Sequence, residues 1–275
     1  ERSDDKLKGS SDNIYFYRIG AGFEQRDNIV DIWEVNSGKK VFSFSHKEKI
    51  NSAQFSNDNK MLITSSDDNT SIVYSLSTGN VISLFNYESN VIDASFHNNG
   101  SYIYNSLEDG SVLIRSFETG EILSAFNHQY RATQATFHPS TNNVITRSSN
   151  NVHVWEYEKS QHLKLNSTST FLHSNISSDG EKIAAYSNDG VVTIWSVLTG
   201  NKLFDFKPNS YVYHLEFTSD STKLVVAEGN KTGAASIWSL ATKSKIHTFN
   251  HKGIVNHASF NKNSTKVITA SRDRT

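Results

Sequence analysis

The chain has 275 residues, 36% of them apolar and 20% charged, with a formal charge of −1. Balanced charge offers no general attraction to nucleic acid or anionic lipid, which need clustered Lys and Arg, and the absence of Cys excludes disulfides, a thiolate nucleophile and a Cys-ligated metal. No apolar run approaches the ~20 residues of a membrane-spanning helix, whereas sixteen Phe, eleven Tyr and four Trp suffice for a core, and an intracellular, cytoplasmic protein is expected.

From the N-terminus, residues 14–17 read as a strand, and the first Trp follows at 33. Stepping about 41 residues from Trp33 gives Tyr74, Arg115, Trp155, Trp195 and Trp238, so all four Trp share one phase. Five residues after each slot stand Gly38, Gly79, Gly120, Ser160, Gly200 and Lys243, which marks a recurring turn with positive φ. Phe44, Phe85, Phe126, Leu165, Phe206 and Phe249 recur ten or eleven residues after the slots, and Phe55, Phe96, Phe137, Ile176, Phe217 and Phe260 at 21 or 22. Within one period, residues 71–76, 81–85, 91–96 and 102–104 alternate with period two, and no stretch carries a helical stripe. The 41 Ser and 28 Asn fit turns recurring several times per period. Four short strands per period predict a propeller blade.

On these residues the chain resembles the WD-repeat β-propeller family over essentially its whole length. The resemblance implies an all-β fold of about seven blades of four-stranded antiparallel sheet, a single domain over 1–275. It also implies a segment that begins late in blade one and ends before ring closure, with further residues on either side. The family's structural tetrad of His, Ser/Thr, Asp and Trp implies His46, Thr64, Asp68 and Tyr74 in one repeat. It implies His128, Thr146, Asn150 and Trp155 in another, and His251, Thr269 and Asp273 in the last. Tyr87, Ser167 and Pro208 stand in the other His slots and Arg115 in a Trp slot, while Asp27, Asp109 and Asp189 keep the turn Asp and the longer loop 229–233 replaces it once. Blades around Ser167 and Pro208 are therefore expected to be softer.

The search for chemistry finds no phosphate loop, no dinucleotide fingerprint at Gly20-Ala21-Gly22, no His-Glu-x-x-His and no Gly-x-Ser-x-Gly. His97 and His138 read as solvated turn residues, and Asp67-Asp68 and Glu108-Asp109 as turn carboxylates, so no catalytic residue, cofactor or metal is assigned. The family places the loops entering each first strand and the turns around the tetrad Asp on one partner-binding rim. Arg and Tyr favour interfaces, which makes Arg26, Lys49, Tyr130, Arg131, Tyr211 and Arg272 the candidate docking residues for a protein or peptide partner, or for another domain of the same chain. The implied function is a non-catalytic interaction scaffold. A sensing propeller within a larger multidomain protein, such as a signalling ATPase, stands second and a propeller hydrolase third; nucleic acid and a membrane span are not expected.

Overall fold

The computed structural model describes residues 7–20, 27–128, 131–138, 141, 143–148, 151–156, 161–166, 169–230, 232–261 and 263–275. All regular structure among them is β-strand. The chain divides into two compact units, the first formed by 1–137, 144–148 and 157–160 and the second by 138–143, 149–156 and 161–275.

The first unit holds three four-stranded antiparallel sheets, each one blade. Their strands are Leu7–Gly9, Tyr15–Ile19, Ile29–Glu34 and Lys40–Ser45; Ile50–Phe55, Met61–Ser66, Thr70–Ser75 and Val81–Asn86; and Val91–Phe96, Tyr102–Leu107, Ser111–Ser116 and Ile122–Asn127. A hairpin of Ala132–Phe137 with Asn143–Ser148 completes it. The second unit opens with the hairpin Asn151–Glu156 and Gln161–Asn166. Two four-stranded sheets follow, Phe171–Ile176, Lys182–Ser187, Val192–Ser196 and Lys202–Phe206, then Val212–Phe217, Lys223–Gly229, Gly233–Ser239 and Ser244–His251. Val255–Phe260 and Val267–Ser271 form a two-stranded sheet.

One difference from the sequence reading lies at the start. The first blade was expected to lack its first strand, yet Leu7–Gly9 pairs with Tyr15–Ile19 and supplies it. The strand is three residues long, with a Lys and a Gly in it, so it carries no alternation to read.

Burial explains the strand order. Second and third strands are covered on both faces, as the consecutive pairs Leu62 and Ile63, and Ile72 and Val73, all buried, show, and they read as nearly continuous apolar runs. Fourth strands form the outer edge of each sheet: Val81–Asn86 leaves Val81, Ile82 and Leu84 exposed and buries Phe85. The turn between third and fourth strands has the predicted positive φ at Gly38, Gly79, Gly120 and Gly200, between 63° and 75°, and Lys243 takes the same conformation at 54°.

Neighbouring sheets interlock through the Trp slot. Tyr74 stacks on Phe44 of the preceding sheet at 4.0 Å between centroids, and Trp238 stacks on Phe206 at 3.8 Å. Arg115 places its guanidinium over Phe85 at 5.7 Å and over Tyr87 at 5.0 Å. A planar cation satisfies the slot because it presents a flat face to the ring, as an aromatic does.

His97 and His138 are not solvated, contrary to the sequence reading. Both are buried; His97 meets Phe137 edge-on at 4.7 Å, and His138 Nε2 lies 2.8 Å from the carbonyl of Gly180. Each occupies the place taken by Ser56, Ser177 and Thr218 in equivalent turns, where a hydroxyl caps an Asp two residues on. The larger imidazole makes the capping bond, His97 Nδ1 to Asn99 Oδ1 at 2.7 Å, and still reaches the next sheet.

Candidate functional site

Behind the candidate rim, polar side chains tie the loop entering a first strand to the turn between second and third strands. In the Tyr74 blade, His46 Nε2 lies 2.7 Å from Thr64 Oγ1, and His46 Nδ1 lies 3.0 Å from Asp68. Asp68 also accepts the amide of Lys47 at 3.0 Å and the hydroxyl of Thr70 at 2.6 Å. Burial depresses the His46 pKa, and the neighbouring Asp68 only partly offsets this. Burial also opposes the Asp68 charge, but the bonds from Thr70, the Lys47 amide and His46 outweigh it and hold that carboxyl below the usual range. The pair is a neutral imidazole against a carboxylate. Tyr74 reaches the carbonyl of Ser45 with its hydroxyl at 3.5 Å.

The two other His-based networks differ in extent. His251 lies 2.9 Å from Thr269 and 3.4 Å from Asp273, which accepts the amide of Lys252 at 2.7 Å. The hydroxyl of Thr275, before the Ser271 hydroxyl and the Lys252 amide, holds the Asp273 carboxyl below the usual carboxylate range. His128 Nε2 lies 2.6 Å from Thr146 Oγ1, and Asn150 lies outside the described residues. Trp155 stacks on His153 at 5.0 Å in the second unit.

Blades without the His are wired differently. Tyr87 donates its hydroxyl to Asn105 Oδ1, and Asn105 Nδ2 donates to Ser71 of the preceding sheet at 2.9 Å. In the Trp195 blade, Asp189 is exposed and accepts from Ser187 at 2.6 Å and Ser169 at 2.9 Å. In the Trp238 blade, Pro208 removes the His, and the softness expected there meets a substitute network. Glu228, 2% exposed, accepts the amides of Asn209 at 2.8 Å and Ser210 at 3.3 Å on Oε2. Its Oε1 accepts the hydroxyl of Ser236 at 2.9 Å, and Ser236 Oγ accepts Trp238 Nε1–H at 3.1 Å. The sequence reading missed Glu228; the signal is an acidic residue ending the apolar run Lys223–Gly229.

Of the six candidate docking residues, Arg26 and Tyr130 lie outside the described residues. Lys49 and Arg131, both exposed, line one cavity of ≈ 630 Å³ in the first unit, together with Asp27, Asn51, Gln54 and Asp93. Arg131 sits 3.8 Å from Glu108, each side chain about half exposed (50% and 48%). Such a pair contributes at most ~1 kcal/mol. Tyr211, 43% exposed, is held edge-on by Tyr213 at 5.0 Å and Tyr186 at 5.5 Å. Arg272 donates Nε–H to Asn256 Oδ1 at 3.2 Å. Tyr211 and Arg272 belong to the second unit, each with its own contacts. Sequence reasoning missed Asn51 and Asp93, whose types carry no signal without the cavity. Among the described residues, no three His, Asp or Glu converge as a metal-ligand set, and no helix is long and apolar enough to cross a membrane.

Residues 38–75 and 243–275 match the family model described as WD domain, G-beta repeat. The two stretches take in the Tyr74 slot, where His46, Thr64 and Asp68 meet, and the turn where His251 meets Asp273. No curated protein matches the chain.

Proposed function

We propose that this WD-repeat chain is a non-catalytic interaction module, one propeller domain over 1–275 that presents its rim loops to a protein or peptide partner. WD repeats generally mediate protein–protein interaction, and rigid sheets suit that role because they hold variable loops in fixed places. The observation that carries the reading is the shared cavity of Lys49 and Arg131. Two exposed cations, from the loops entering the first strands Ile50–Phe55 and Ala132–Phe137 with Val91–Phe96 between them in the chain, line one concavity, and among the described residues their one ion pair, Arg131 with Glu108, is weak and exposed. Tyr211 adds a large aromatic face whose ring is fixed by its neighbours, which lowers the ordering cost on binding. On this reading, acidic side chains of the partner meet the first unit.

Affinity capture with the full-length protein, followed by amine cross-linking and mapping, tests the proposal. Cross-links from captured proteins are expected at Lys47 and Lys49. Cross-links confined to Lys40 and Lys202, which lie on outer strands, would place the partner elsewhere.

A further inference from the structure

A cavity of ≈ 420 Å³ in the second unit is lined by Asn209, Ser210, Glu228, Asn230, Thr232 and Asn250 together with Gly233 and Ala234. Among the described residues, Glu228 is the only ionisable group in that wall. Its hydrogen bonds are all of one kind: two amides and one hydroxyl donate, and the carboxylate accepts. Ser236 donates its hydroxyl to Glu228 while its oxygen accepts Trp238 Nε1–H. As a carboxylate the side chain only accepts, and three of its roughly four lone-pair sites are filled. No Lys, Arg or His among the described residues forms an ion pair with it. Among the described residues, a charge in this position is met by dipoles, and the lining beside it is of amides and hydroxyls.

We propose that this recess receives the guanidinium of an arginine presented by the protein partner. A guanidinium carries five N–H donors in a plane and no acceptor. The recess offers the remaining Glu228 lone pair, the side-chain carbonyls of Asn230 and Asn250, and the hydroxyl of Thr232. Low local dielectric strengthens attraction to the buried charge. The inference rests on the partner-binding reading for the source of the arginine and adds its chemistry: a basic side chain at Glu228, where the Lys49 and Arg131 cavity takes acidic ones.

The test uses methylguanidinium as the probe and is independent of whether any protein is captured. In ¹H–¹⁵N spectra of the intact chain, methylguanidinium shifts the Asn209 and Ser210 amide signals saturably, while its neutral isostere N-methylurea leaves them in place. Glu228→Gln keeps the shape and removes the charge, so affinity falls by about tenfold or more, the factor expected when a hydrogen bond to a charged group is lost. Should Glu228→Gln fail to fold, Asn250→Lys decides the matter. It changes an exposed residue on the lining, places an ammonium beside the recess, and weakens the probe by a similar factor in a folded protein. No saturable shift with methylguanidinium, an equal response to N-methylurea, or undiminished binding by Asn250→Lys each overturns the proposal.

Discussion

Glu228 accepts the backbone amide of Asn209 at 2.8 Å, the bond that Asp68 makes to the amide of Lys47 at 3.0 Å in another blade. Asn209 follows Pro208 as Lys47 follows His46, so the equivalent amide is closed by a turn carboxylate in one blade and by a strand carboxylate in the other. Replacing Glu228 by Ala leaves the amides of Asn209 and Ser210 and the hydroxyl of Ser236 without their acceptor. At ~1–3 kcal/mol for an unsatisfied buried group, partly recovered by water, the expected loss is about 2–4 kcal/mol in a urea titration. A loss near zero would show that Glu228 is carried by packing alone.

Asp68 and Asp189 occupy the same turn position and should not be equal. The Asp68 side chain is 6% exposed and joins His46, Thr70 and the Lys47 amide, whereas Asp189 is exposed and holds the hydroxyls of Ser187 and Ser169 and the Val191 amide. Asp68→Ala is expected to cost about 2–3 kcal/mol and Asp189→Ala less than about 1 kcal/mol. Equal losses in denaturant refute the difference.

Acid should destabilise the fold before its carboxylates titrate. Burial, then the ring of His257 stacked at 3.8 Å, depresses the His214 pKa to about 4; the carbonyl of Ala258 opposes the shift and His173 adds to it. His46 is shifted in the same direction. A depressed folded-state value means that the unfolded chain binds the proton more readily, so stability is full above the ordinary value of ~6.5 and falls as pH drops from there to the folded value. For His214 the fall between pH ~6.5 and ~4 is roughly 3 kcal/mol. His214→Gln should flatten that part of the stability–pH curve; an unchanged slope means that His214 does not titrate as its surroundings imply.

Gly180 and Gly38 both have positive φ, but only Gly180 touches another turn. A Cβ on Gly180 would lie inside the His138 ring, while nothing lies within 4 Å of one on Gly38. Both substitutions to Ala carry the left-handed backbone cost of about 1 kcal/mol; Gly180→Ala adds displacement of a buried His and should cost about 2 kcal/mol more. Matching melting temperatures would show that His138 moves aside freely.

The repeat was legible because the slots at Trp33, Trp155, Trp195 and Trp238, the turn Gly at five residues and the Phe positions are separate chemistries in one phase. Each answers a local demand that any repeat must meet: a flat group against the preceding sheet, a left-handed turn, a core aromatic. Substitutions that meet the demand by another route were not legible. Arg115 looked like a lost Trp, yet its planar cation covers Phe85; Pro208 looked like a lost network, yet Glu228 restores one from two residues beyond the Thr position, at the end of its strand. His97 and His138 were misread because turns are usually wet, and their burial comes from sheets far away in sequence. Of the candidate site, residue types at loop positions were readable. The cavity that joins Lys49 to Arg131 depends on Asn51 and Asp93, whose placement follows only from packing.

The most direct measurement is partner binding by the intact protein carrying Lys49→Glu and Arg131→Glu together, with thermal melting to show that the fold persists. Both side chains are exposed, so the melting temperature should stay within a few degrees of the parent. Reversing two cations at one cavity is expected to weaken a partner that docks there by more than about tenfold and to reduce the salt dependence of binding. Unchanged affinity in the folded double variant would contradict the assignment of the Lys49 and Arg131 cavity as the docking face.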